Sequence, residues 1–306
     1  MKNLNIYLIL IGTLITQNIF GYGLPNVNLG LTNMLDGGPI RPNPGWYWYE
    51  FAYLYHTDKF LDSVGEPLGG VKSPNFNSFT IFSELIYQTK KNVLLNAKGG
   101  FDFGVSTVVC SHVDRNNLGI ISSGAGFGNT LLGTYLQWDP VMRKDRPLFV
   151  HRLEFQFSCP SGKCELPRET INPGTRFFYF DPYWAATFYF TERASASWRL
   201  YYLWCAKNTV TDIKQGSAVH LNFSLEYEII RNLYLGFNGY YLQQIENNKL
   251  ENIVIPDSKE RVLGLGPGVL YFFSTEFVVF SYLYFETNVR NRSQGMSFIF
   301  RFVKHF

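Results

Sequence analysis

Ala218-Val-His-Leu-Asn-Phe-Ser-Leu-Glu-Tyr-Glu-Ile229 alternates with a strict period of two. Successive side chains of a strand point to opposite faces. Val219, Leu221, Phe223, Leu225 and Tyr227 therefore share one face, and His220, Asn222, Ser224, Glu226 and Glu228 the other. Ten or so residues of this kind, bounded by turns, are the unit from which transmembrane β-barrels are built, with lipid on the apolar side and the interior on the polar side.

The pattern recurs to both sides of this stretch. Phe149, His151, Leu153, Phe155 and Phe157 oppose Val150, Arg152, Glu154, Gln156 and Ser158. Ala196, Trp198, Leu200, Tyr202 and Trp204 oppose Ser195, Ser197, Arg199 and Tyr201. Leu233, Leu235, Phe237, Gly239 and Tyr241 oppose Tyr234, Asn238, Tyr240 and Gln244. Near the start, Tyr47, Tyr49, Phe51, Tyr53 and Tyr55 form an unbroken aromatic row against Trp48, Glu50, Ala52, Leu54 and His56. The aromatic row suits lipid, and the mixed row tolerates charge.

Further strands are expected over 76–88, 93–109, 120–138, 177–190, 261–273, 276–288 and 295–306, making about twelve. Segment 277–286 is apolar on both faces. The fold class expected is all-β, an antiparallel transmembrane barrel over 45–306. Short connections at 90–92, 230–232 and 274–275 read as periplasmic turns. Longer polar ones at 57–75, 158–173, 207–216 and 246–260 read as extracellular loops.

Composition agrees with this. Aromatic residues make up 18% of the 306, with 28 Phe and 20 Tyr, and charged residues 17%, against roughly 25% charged in ordinary domains. Mean hydropathy is −0.06, as expected of apolar residues dispersed through alternating strands. A formal net charge of +3 without a basic stripe excludes a nucleic-acid partner.

The N-terminus carries Lys2, an apolar stretch from Ile6 to Ile19, and small residues at Gly21-Tyr-Gly23. This is the pattern of a cleavable secretory signal over 1–23. It is followed by an irregular, Gly-, Pro- and Asn-rich lead-in over 24–44, expected in the periplasm or at the barrel mouth. At the other end Phe298, Phe300, Phe302 and Phe306 share one face and close the chain with an aromatic residue. That terminus resembles the signal by which the barrel-insertion machinery recognises its clients.

Candidate functional residues are the polar ones on inward faces. Asn96, Lys98, Asp102, Arg152, Glu154, Gln156, Arg199, His220, Asn222, Glu226, Asn238 and Gln244 could line a lumen. With about twelve strands, that lumen holds either a narrow conduit or a filled polar core.

His220, Asn222 and Ser224 offer the residue types of a barrel phospholipase, but Ala194-Ser-Ala-Ser-Trp-Arg199 matches that family's nucleophile segment only superficially, so no catalytic residues are assigned. Gly124-x-Gly-x-Gly128 and Gly264-x-Gly-x-Gly268 lack the spacing of a dinucleotide loop and suit close packing on a strand face. Cys159 and Cys164 flank a turn and could form a small disulfide loop. No second Cys or His pair stands at zinc spacing, and neither a metal nor a cofactor is expected.

Several segments, taken in order, resemble the MetA-pathway phenol-degradation family of outer-membrane barrels. They are Leu24-Pro-Asn-Val-Asn-Leu-Gly30 with Leu35-Asp-Gly37, then Pro44-Gly-Trp-Tyr47. Next come Gly126-Phe-Gly-Asn-Thr-Leu-Leu-Gly133, Leu136-Gln-Trp138 and Pro160-Ser-Gly162. Tyr240-Tyr-Leu-Gln-Gln244, Leu263-Gly-Leu-Gly-Pro267 and Asn291-Arg-Ser-Gln-Gly295 complete the series. Asn129 stands where the family pattern has Asp, and the Cys159–Cys164 loop replaces a Pro-Thr-Gly turn. The resemblance implies an outer-membrane location, outer-membrane lipid around the barrel, and transport of small, hydrophobic or aromatic solutes. A barrel with a closed lumen, serving a structural or surface-interaction role, is the rival expectation.

Overall fold

The structure is a computed structural model that describes residues 23–38, 43–68, 75–114, 120–123, 125–164 and 172–306. The expected signal sequence, apart from Gly23, lies outside the described residues. Twelve strands form the wall. They are β1 Gly45–Phe60, β2 Asn75–Leu94, β3 Ala97–Asp114, β4 Gly126–Gln137, β5 Arg146–Cys159 and β6 Tyr183–Tyr189, then β7 Ala194–Cys205, β8 Ala218–Ile230, β9 Leu233–Gln244, β10 Arg261–Phe272, β11 Phe277–Arg290 and β12 Ser293–His305.

Each strand pairs antiparallel with its sequence neighbours, and β12 returns to pair with β1 from Tyr47↔His305 to Phe60↔Ser293. The sheet is therefore closed. Closure leaves the wall without a free first or last strand, which a sheet crossing hydrocarbon requires. Among the described residues there is no helix long and apolar enough to cross a membrane.

The apolar rows of β5, β7, β8 and β9 face outward. Phe157, Tyr202, Leu225 and Phe237 are exposed, as are Phe298, Phe300 and Phe306 at the closing strand. A contiguous apolar belt of this size around a closed barrel has one suitable solvent, the bilayer. The protein is an outer-membrane β-barrel.

β1 departs from expectation. Its aromatic row faces inward, with Tyr47, Tyr49, Phe51 and Tyr55 buried, while Trp48 and Leu54 point outward. The doubly apolar β11 does the same with Val278, Phe280, Tyr282 and Tyr284. Both strands are apolar on their inner faces because they pack on an apolar occupant of the lumen, Met34 and Leu35.

Several boundaries also move. The turn between β2 and β3 falls at Leu95–Asn96, both left-handed (φ 50° and 57°), and not at 90–92. Two consecutive positive φ angles give the turn that matches strand twist. Segment 120–138 divides, with Ile120–Ser123 pairing back on β3 before β4 begins. Segment 177–190 breaks at Asp181-Pro182, leaving the two-residue piece Tyr179–Phe180 ahead of β6, since proline has no N–H for the ladder.

Cys159 and Cys164 are not bonded to each other. The β4–β5 ladder fixes Cys159 against Thr130, and the Lys163 N–H donates to the Phe127 carbonyl at 2.8 Å. The loop is thus pulled onto β4 and away from a compact ring, and Arg176 takes the Cys164 carbonyl.

The two barrel ends differ. The short turns 95–96, 190–193, 231–232 and 273–276 lie at the end where β1 starts and β12 finishes. The longer connections leave the opposite end, where Ile213–Lys214, Lys249–Leu250 and Ile253–Val254 form a small three-stranded sheet.

Candidate functional site

Of the lead-in, residues 24–38 lie inside the barrel and not in the periplasm. Residues 23–38 run through the barrel interior from the long-loop end toward the short-turn end. At the top, the Gly23 and Leu24 N–H groups both donate to Glu260 Oε1 at 2.8 Å, and Arg292 holds the other carboxylate oxygen at 2.7 Å. Midway, the Gly30 N–H donates to Asn222 Oδ1 at 3.0 Å and Tyr284 donates to the Gly30 carbonyl at 3.0 Å. Asn33 reaches the same Tyr284 hydroxyl.

Lower down, the Leu35 N–H is shared by Ser197 Oγ (3.1 Å) and Glu226 Oε1 (3.3 Å). The Gly37 N–H donates to Thr187 Oγ1 at 2.9 Å. An irregular segment can lie in an interior only if its backbone groups find such partners.

Burial does the rest. Thr32 through Gly38 are all buried, and Met34 and Leu35 pack into the aromatic wall of β1, β9, β11 and β12. Each such side chain, removed from water, contributes about 1.5–3 kcal/mol.

Two glycines let the segment fit. Gly30 is left-handed (φ 77°), and a Cβ there would stand 2.7 Å from the Tyr284 ring. A Cβ on Gly37 would meet the Thr187 backbone nitrogen at 2.2 Å. Short side chains are needed where the segment touches the wall.

The interior charges form a connected track. Arg152 stacks on Tyr135, its Cζ 3.7 Å from the ring centroid, and donates to Gln137 Oε1 (3.2 Å) and Glu154 Oε2 (3.1 Å). Gln156 donates to Glu154 Oε1 at 2.7 Å, and the Tyr183 hydroxyl bonds the other oxygen. Arg199 donates to that Tyr183 hydroxyl at 3.1 Å and to the Asp36 carbonyl at 3.3 Å. Arg301 donates to Asp36 Oδ2 at 2.8 Å, and Arg199 Nη2 lies 3.6 Å from Asp36 Oδ1. Asp36, one of the segment's own residues, thus joins β7 to β12.

The remaining lumen candidates distribute as follows. Asp102 is buried on the inner face of β3, and neither carboxylate oxygen has a hydrogen-bond partner among the described residues. Glu226 collects Ser195 (3.1 Å) and Ser197 (2.6 Å) as well as Leu35. Asn222 holds the segment through Gly30 and through Asn28 (2.9 Å). Asn238 is buried on β9.

Gln244 belongs to the outer end, where it donates to Asn248 Oδ1 at 2.6 Å and accepts from the Glu260 N–H at 2.9 Å. Lys98 shares the Asp102 face but its amine pairs with Asp139 at the short-turn end. Asn96 is a correction. It sits exposed in the β2–β3 turn, where its left-handed φ places it.

His220 and Ser224 do not form a nucleophile–base pair. His220 Nε2 is held by both Asp181 oxygens, at 3.0 and 3.1 Å, while its ring stacks on Tyr201. Nδ1 has no partner among the described residues. No group of three or more His, Cys, Asp or Glu side chains among the described residues could hold a metal ion.

Sequence reasoning missed Asp36, Arg301, Tyr284 and Glu260. Asp36 stood in the lead-in. Arg301 interrupts the C-terminal phenylalanines on the inward parity, the one signal that could have exposed it.

The model of the family described as Putative MetA-pathway of phenol degradation matches residues 57–302. Among solved structures, the COG4313 outer membrane channel from Pseudomonas putida F1 superposes with a TM-score of 0.75 at 14% identity, covering 90% of this chain and all of that one. The CymD monoaromatic hydrocarbon channel gives 0.47 at 10% identity, covering 95% and 97%. A Pseudomonas aeruginosa FadL homologue gives 0.43 at 12%, covering 94% and 100%. The first of these shows the shared fold. A search of curated protein sequences finds no match.

Proposed function

The chain belongs to the family described as Putative MetA-pathway of phenol degradation, and on that premise we propose that it is an outer-membrane channel for small molecules. Residues 24–38 are then the internal element that a solute displaces or slips past. The observation that carries this reading is the charged track from Glu154 through Tyr183 and Arg199 to Arg301, kept inside a barrel whose outer face is apolar. Burying several charges is costly, and a barrel serving only as a wall has no need of them. The inward rings of Tyr47, Tyr49, Phe51 and Tyr282 supply apolar surface beside the charges, which suits solutes with an aromatic or hydrophobic body. No catalytic step is assigned to the interior.

One observation favours a rival, the closed structural barrel: the seated segment fills the interior with well-formed hydrogen bonds. Planar-bilayer conductance and liposome solute uptake separate the two when run on the mature chain and on a variant lacking 24–38. The channel reading expects uptake through the mature chain that increases on deletion. No conductance or uptake from the mature chain, whatever the deletion does, overturns it.

A further inference from the structure

Asp36 occupies a site that another molecule can use. Its carboxylate bridges Arg301 and Arg199, from opposite parts of the wall, and all three side chains are buried. The site is not saturated. Among the described residues, Arg301 Nε and Nη2 have no hydrogen-bond partner, and Asp36 Oδ1 accepts no hydrogen bond although it lies within ion-pair distance of Arg199. Guanidinium groups present donors matched to both oxygens of a carboxylate, so Asp36 uses the pair incompletely.

The surroundings define the rest of the ligand. The Arg301 guanidinium lies 3.5 Å over the Phe280 ring, with Phe51 at 5.7 Å and Tyr49 at 5.8 Å. Arg199 lies 4.8 Å over Tyr183. Immediately before Asp36, the segment places Met34 and Leu35 against the same aromatic wall. The segment therefore presents an apolar body ending in one carboxylate.

We propose that the Arg199–Arg301 pair is a binding site for small monocarboxylates with a flat apolar body, that Asp36 occupies it as an internal surrogate, and that such a ligand competes with residues 34–36 for the interior. The inference rests on the channel reading in giving the site a role in passage, while binding itself is measured without flux.

The test is calorimetric titration of the folded, detergent-solubilised barrel with sodium benzoate, with benzyl alcohol and sodium chloride as controls. Wild type and D36A are compared, together with D36A/R301M. Removing the internal competitor should tighten benzoate binding at least about tenfold in D36A, with little change for benzyl alcohol or chloride. The double variant should lose the gain. Where D36A does not reach the heat-modifiable folded form, D36N carries the same comparison at near-constant volume.

Equal benzoate affinity in wild type and the Asp36 variant, or a gain matched by chloride or benzyl alcohol, overturns the proposal. Benzoate binding with no solute uptake would remove the channel reading and leave this site standing. Uptake with no change in benzoate binding does the reverse.

Discussion

Tyr284 on β11 donates its hydroxyl to the carbonyl of Gly30 at 3.0 Å, across 254 residues of sequence. The same oxygen is reached by Asn33, so one wall side chain fastens the internal segment at two points.

Replacing Tyr284 with Phe leaves the ring and removes both fastenings. A buried carbonyl and a buried amide lose their partner, at a cost of about 1–3 kcal/mol each. A cysteine at the buried position Thr32 should then react with a water-soluble maleimide about tenfold faster or more than in the parent, since each 1.4 kcal/mol is a factor of ten. Unchanged reactivity would mean that Tyr284 does not hold the segment.

Gly37→Ala attacks the same segment sterically. The added Cβ would meet the Thr187 backbone nitrogen at 2.2 Å, and backbone in a ladder yields little. Because β6 is bonded on both sides, the segment should move and the barrel stay. The expected readout is higher single-channel conductance with unchanged heat-modifiable migration.

Glu260, just before β10, carries a pH dependence. Burial lifts its carboxyl above the ordinary range, and Arg292 with the Leu24 and Gly23 N–H groups offsets part of that lift. A raised carboxyl pKa means the folded state holds the proton more tightly than the unfolded one, so its contribution to stability is fully present below the ordinary carboxylate pKa and falls as pH rises through the raised value. In urea titrations across that window, wild type should lose more stability with rising pH than E260Q does. Parallel curves would remove Glu260 from the account.

The outer face is tested by Phe237→Arg in β9. Phe237 is exposed beside Leu225 of the neighbouring strand, and an arginine facing hydrocarbon near mid-depth costs about 2–4 kcal/mol. Reversible unfolding in lipid vesicles should show that loss, whereas a change within a few tenths would place Phe237 outside the hydrocarbon.

Orientation is tested from intact cells. Asp257 lies exposed among the longer connections and Arg231 in a short turn. A membrane-impermeant maleimide should label D257C on whole cells and R231C only after the outer membrane is broken. The reverse pattern would invert the barrel.

Alternation between polar and apolar residues determined much of this protein from the sequence alone. Along β5, β7, β8 and β9 a one-residue shift would expose the charges to lipid, so Arg152, Arg199, Glu226 and Asn238 had only one face available. The closing phenylalanines were fixed on the outer face for the same reason. The aromatic abundance was misleading at β1 and β11. β11 is apolar on both faces and the second face of β1 is mixed, so alternation cannot tell lipid from a packed interior, and the choice depends on what lies across the lumen.

That occupant is the Gly- and Asn-rich stretch 23–38, which has no periodicity to read. Its partners lie between 150 residues away, at Thr187, and 265, at Arg301. Asp36 meets Arg301 across 265 residues. Local pattern records which way a side chain points from its own strand. Only the closed barrel, by curving twelve strands around one volume, decides which distant groups share it.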